Sequence, residues 1–133
     1  MSKVLNVKVW FWVVIVANGV FGALVSSLWA ADAAEIWWGA ENVQAHDEFY
    51  ERLIGYLIFT LIFVLIGIAV LVSGRVFHQL ALITSGSLLF AHLAGMVYGN
   101  ANGYGSPGEW VVPLVLDVVL AATAIRALRQ PSV

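Results

Sequence analysis

Four long apolar runs, at 9–29, 53–73, 76–98 and 111–128, alternate with short polar connections along the chain. Each is close to the roughly 20 residues a helix needs to cross the hydrocarbon core of a bilayer. The pattern predicts an all-α integral membrane protein, a four-transmembrane-helix bundle forming a single domain over 1–133. Ser73-Gly74-Arg75 predicts a very tight turn between the second and third helices, where glycine permits the reversal. The connection at 30–52 is of another kind, with an Ala-rich stretch and an Ile36-Trp37-Trp38 patch beside six carboxylates. It predicts a short interfacial helix between helices one and two, its indoles at headgroup depth. The connection at 99–109 is built from turn formers and predicts a loop. Trp10, Trp12, Trp29, Trp37, Trp38 and Trp110 all fall near the predicted boundaries, as an aromatic belt requires.

Charge orients these elements. Lys3, Lys8, Arg75, Arg126 and Arg129, five of the six basic residues, fall on one side of the four runs. Seven of the eight acidic residues fall on the other side or at its edge, and Asp117 lies inside the fourth run. Cytoplasmic loops carry the excess of Lys and Arg, so both termini are expected in the cytoplasm, of a bacterial inner membrane. Lys3 and Lys8 before an apolar run imitate a signal peptide, with Ala31-Asp32-Ala33 as a cleavage pattern. The run of about 20 residues exceeds the usual apolar stretch of roughly 7–15, and it is read as a true first span.

Composition narrows the chemistry. Hydrophobic residues make up 62% of the chain and charged ones 11%, with a mean hydropathy of +0.92. The absence of cysteine excludes disulfides, thiol catalysis and cysteine-bound zinc or iron–sulfur centres. No basic patch points to nucleic acid. Small residues at Asn18-Gly19, Gly22-Ala23 and Ser26, and at Ser85-Gly86 and Gly95, read as close-packing stripes between helices.

Ionisable groups inside spans are costly and mark candidate function. His92 lies seven residues before Gly99 and Asp117 seven after Trp110, so each sits about 10 Å below the acidic surface. On adjacent antiparallel helices they meet at one level, and an Asp–His pair satisfies both groups in hydrocarbon. Asn18 can join them from helix one. Arg52 and Tyr56, four residues apart, share a face of helix two with Glu51 nearby, which also reads as an ion pair with Arg52. Asn100 and Asn102 cap the region from the loop. The result is a polar pocket open to the outside, lined by Asn18, Tyr56, His92, Asn100 and Asp117. The same residues also read as glue between helices or as contacts to a partner subunit. His78 and His92 are about 21 Å apart along one helix and cannot share an iron. His46 among carboxylates shows no fixed ligand spacing, so no metal or cofactor is assigned.

From Glu51 onward a family resemblance enters. Glu51-Arg52-Leu53-Ile54-Gly55-Tyr56, then Gly95-Met96-Val97-Tyr98, a turn-rich loop and a single acid at Asp117 are similar to small four-helix bacterial membrane proteins related to DoxX. It spans Glu51 to Arg129. It implies a four-helix fold and singles out Arg52 and Asp117, without supplying a reaction.

Two functions are therefore expected. One is a non-catalytic subunit or accessory of a larger membrane complex, associating through its helix faces with a membrane protein partner or with itself. It would hold a lipophilic ligand in the polar pocket. The other is a membrane-embedded enzyme doing isomerase-like acid/base chemistry on a lipid-soluble substrate. There Asp117 would be the base tuned by His92, and Tyr56 or Arg52 would stabilise negative charge. A proton-coupled carrier fits less well, because the cytoplasmic half at 61–72 and 118–125 is sealed by apolar residues apart from Thr123.

Overall fold

The computed structural model describes residues 6–105 and 107–130, leaving Lys3 and Ser106 outside the described residues. Five helices build it: α1 (Val7–Leu28), α2 (Ala30–Trp38), α3 (Asp47–Leu71), α4 (Gly74–Asn102) and α5 (Val111–Leu128). A single 3-10 turn, Pro107–Trp110, leads into α5. Helices α1, α3, α4 and α5 (the last with its leading turn) are each long and apolar enough to cross a membrane, the architecture of a multi-pass membrane protein.

The helices are not arranged in chain order. α4 packs along α5, α5 packs against the first half of α1, and the second half of α1 packs against α3. The order in space is α3, α1, α5, α4. α3 and α4 therefore touch only sparsely, although two residues, Val72 and Ser73, join them. Both are extended, and Gly74 takes φ +64° as α4 begins, a left-handed value that a side chain would strain.

Within α1 the change of partner coincides with a π-helical stretch at Asn18–Leu24. A wider turn inserts residues into the 3.6-residue repeat and rotates the faces that follow by about 100° for each one. The Asn18 amide donates to the Val14 carbonyl at 3.0 Å, within its own helix rather than toward α5. Past this stretch, small residues let α1 approach α3. A Cβ on Gly55 would lie 2.7 Å from the Ser27 amide nitrogen, and one on Gly22 would lie 3.3 Å from Ile58. The small-residue stripe expected on helix one is thus a packing face. On α4 the stripe divides: Ser85 is fully buried, Gly86 has open space beside it, and Gly95 sits under the Trp110 indole.

The apolar core sits toward the basic end. Phe11, Val14 and Ile15 of α1 meet Ile62 and Leu65 of α3, Phe77 and Leu88 of α4, and Leu120 of α5. Phe11 and Phe77 pack edge to face at 5.2 Å. Polar and aromatic contacts dominate the acidic end, where α2 reaches across to the connection between α4 and α5. There Trp37 meets Trp110 at 5.3 Å and Trp38 meets Tyr104 at 4.5 Å.

Two boundaries differ most from the sequence expectation. The second span begins at Asp47 rather than Leu53, so Asp47 and Glu48 occupy its first turn, where carboxylates favour the helix dipole. The fourth begins at the expected Val111. The third runs on through Gly99 to Asn102, because the Tyr98 carbonyl is satisfied by the Asn102 amide at 2.8 Å and the helix ends only at Gly103, φ +75°.

Candidate functional site

Two polar groups lie in the acidic half, and they do not meet. The first joins α4 to α5. Antiparallel packing brings His92 opposite Asp117, and His92 Nδ1 lies 2.6 Å from Asp117 Oδ2. By helical rise the pair is about 10–15 Å below the acidic ends of these helices. Asp117 is 1% exposed, whereas the His92 side chain keeps 18% of its surface. The carboxylate is enclosed and the imidazole is its outer member.

At 2.6 Å the contact is a short hydrogen bond of the charge-assisted kind. Each group gives the other a hydrogen-bond partner, which hydrocarbon tolerates far better than either left alone. His92 makes no other hydrogen bond among the described residues, and its second nitrogen, Nε2, is not buried. It is a polar atom held in fixed orientation and left free.

Trp110 forms the roof of this corner. Its ring lies 6.4 Å from that of His92 and packs on Trp37 and Gly95. A Cβ at position 95 would come within 2.5 Å of the indole, so glycine makes the room. The indole Nε1 is buried without an acceptor among the described residues, an unusual and costly state. Sequence reading placed Trp110 only in the aromatic belt. The signal for more was Gly95, three residues from His92 and so on the same helix face.

The second group joins α1 to α3. Arg52 donates to the Ser27 carbonyl at 3.1 Å and to Glu48 at 2.7 Å, and Tyr56 also lies within its reach. The expected Arg52–Glu51 pair is absent among the described ion pairs. Neighbours in a helix point about 100° apart, while Glu48, four residues back, shares the arginine's face. Glu51 instead turns inward, 5% exposed, toward Ser26.

The expected site residues therefore divide. His92 and Asp117 come together. Arg52 and Tyr56 stand on α3 with no hydrogen bond, ion pair or ring contact to them among the described residues. Asn18 bonds within α1, and Asn100 is exposed near the end of α4. His46 lies 3.4 Å from Asp47, and among the described residues no three His, Asp or Glu side chains converge as metal ligands.

Fold and site together define a class: an all-helical, four-span membrane protein with a buried aspartate–histidine pair near one end. Compared with family models, curated proteins and solved structures, the chain matches none of them.

Proposed function

We propose that the protein is a small, non-catalytic subunit or accessory of a larger membrane complex. In its acidic half it holds a lipophilic ligand bearing a carbonyl or hydroxyl group against His92. The observation that carries this reading is the His92–Asp117 pair, closed on itself through Nδ1 with Nε2 free. A hydrogen-bonding group on an otherwise apolar molecule is what such an atom selects in a bilayer.

The orientation belongs to the same proposal. Lys8, Arg75, Arg126 and Arg129 put the basic end in the cytoplasm, with both termini, and the acidic end outside. α2 then lies in the outer interface, its Trp37 and Trp38 at headgroup level. The likeness to DoxX-related proteins favours a bacterial inner membrane as the host.

Mild-detergent purification of wild type, Asp117→Asn and His92→Ala, with mass spectrometry of co-purifying proteins and lipophiles, tests the reading. A stoichiometric partner and a bound lipophile, both reduced in the variants while the bundle stays folded, are expected. Wild type that purifies alone and empty would overturn it.

A second reading rests on the same pair. A carboxylate that orients an imidazole through Nδ1 and leaves Nε2 free is the arrangement of a general-base histidine. In an acid/base enzyme the roles would then be His92 as base and Asp117 as its orienting group, because Asp117 is the enclosed member. Arg52 and Tyr56 are held by other partners, which leaves developing charge on a substrate without their help and places this reading second.

A further inference from the structure

Away from the His92–Asp117 pair, a cavity of about 470 Å³ opens at the acidic end, between the end of α2, the 39–46 connection and the end of α4. Two of its walls are aromatic. The Trp38 and Tyr104 rings lie 4.5 Å apart with their planes 76° to one another, so they form a near-right-angled corner. The remaining walls supply oxygen. Asn42 donates its amide N–H to the Trp38 carbonyl at 3.1 Å, and Asn102 donates to the Tyr98 carbonyl at 2.8 Å. Each amide thus has its nitrogen tied to a helix end, while its oxygen accepts no hydrogen bond among the described residues. Asp47 accepts the Gln44 backbone N–H through Oδ2 at 2.7 Å and has His46 at 3.4 Å from Oδ1.

The sign of the charge decides what fits. No Lys or Arg lines the cavity. The end of the molecule around it carries seven carboxylates, from Asp32, Glu35, Glu41, Asp47, Glu48, Glu51 and Glu109, against Arg52 alone. Fields of that kind exclude anions and concentrate cations. Among the described residues no three His, Asp or Glu side chains gather here, so a divalent metal would rest on one carboxylate and neutral groups. A neutral polyol would leave the carboxylate without a countercharge. An ammonium centre answers each feature: its N–H or N–CH₃ groups face oxygens, its charge faces Asp47, and its surface lies against two aromatic faces.

We propose that this cavity binds an organic ammonium group, of ethanolamine or choline size, in the corner where Trp38 meets Tyr104, with Asp47 as its counterion. The group can reach the cavity as a lipid headgroup or as a free amine, and the two sources share this chemistry. The site stands apart from the lipophile site of the preceding section and does not depend on it.

Full-length protein in phosphatidylglycerol nanodiscs, titrated with choline and followed by ligand-observed saturation-transfer NMR, tests the proposal. Choline should bind saturably, and its uncharged isostere 3,3-dimethylbutanol at least tenfold more weakly. Trp38→Leu removes a ring face and should weaken choline about tenfold, which is about 1.4 kcal/mol. Asp47→Asn keeps the acceptor for the Gln44 amide and removes the charge, so it weakens choline while helical content and melting midpoint hold. Nanodiscs containing phosphatidylethanolamine separate the sources: loss of choline binding there identifies the headgroup, and unchanged binding identifies the free amine. The proposal is overturned by failure of choline to saturate, by equal binding of 3,3-dimethylbutanol, by wild-type affinity in both variants, or by displacement of choline by micromolar calcium.

Discussion

The two polar groups of the acidic half lie on opposite flanks of α1 and α5 and are built on opposite plans. Around Arg52, every polar reach ends on another part of the protein: a backbone carbonyl of α1, a carboxylate one turn away, and the Tyr56 side chain. Around His92 there is one short bond, to Asp117, and then a nitrogen with no partner among the described residues. In the first arrangement one hydrogen bond fastens α3 to α1 and the others stay within α3. The second fastens α4 to α5 with half of an imidazole and presents the other half. Intramembrane ionisable groups are functional candidates by default, and the comparison shows why composition alone ranks them poorly. What separates a fastening from a site is whether the polar atoms are all used.

The largest effect should come from the fastened side, at its closest approach. Gly55→Val would place a side chain against the Ser27 backbone, whose amide nitrogen is 2.7 Å from the nearest Cβ position and cannot yield as a flexible side chain could. Overpacking of this sort costs about 1–3 kcal/mol. A fall in melting midpoint in detergent, with lipophile binding lost only in proportion to unfolding, is the expected result. Normal stability would break the comparison, since the α1–α3 seam would then not be a rigid fastening.

Next in size is Asp117→Leu. Hydrogen bonds between helices in lipid contribute about 0.6 kcal/mol on average and at most about 2, because the unfolded state in the membrane also finds partners. The stability loss should therefore be about 1–2 kcal/mol. Ligand retention should fall far more steeply, since His92 loses the group that sets its tautomer and direction. Measuring both on one sample sharpens the contrast: a stability loss matched by an equal loss of binding would make the pair a fastening like its counterpart.

Much of this was legible in the chain. The four spans followed from apolar run length, and the meeting of His92 with Asp117 followed from depth counted on antiparallel helices. The order of helices in space was not. α3 and α4 are joined by two residues, so sequence proximity places them side by side. A π stretch in α1 changes which face it offers, and that is written in hydrogen-bond geometry rather than in residue type. The same reason explains why Arg52 and Tyr56 did not join the pair: they sit on a helix whose neighbour is α1, on the far side from α4. Partners within one helix were easier, yet Glu48 rather than Glu51 took Arg52, because a helix puts residues four apart, and not adjacent ones, on one face. The extension of α4 through Asn102 ran against turn propensity. Gly99 is buried there, 2.9 Å in Cβ terms from the Tyr104 carbonyl, so tertiary packing uses it as a small helical residue and leaves the left-handed turn to Gly103.

The smallest effect should come from Arg52→Ala. Its ion pair with Glu48 joins two partly exposed side chains, with 40% and 50% of their surfaces accessible, on successive turns of one helix. Pairs in that setting add little, since water and headgroups compensate both charges once they part. The bond to the Ser27 carbonyl crosses to α1, but it is a single hydrogen bond between helices, which in lipid adds about 0.6 kcal/mol on average. The variant should keep the melting midpoint within a few degrees of wild type and retain the lipophile at wild-type level. A steep loss of ligand with unchanged folding would undo the division between the two groups, because Arg52 would then act on the site that α4 and α5 hold. Retention at wild-type level, beside the loss in Asp117→Leu, would leave the free face of His92 as the feature that distinguishes them.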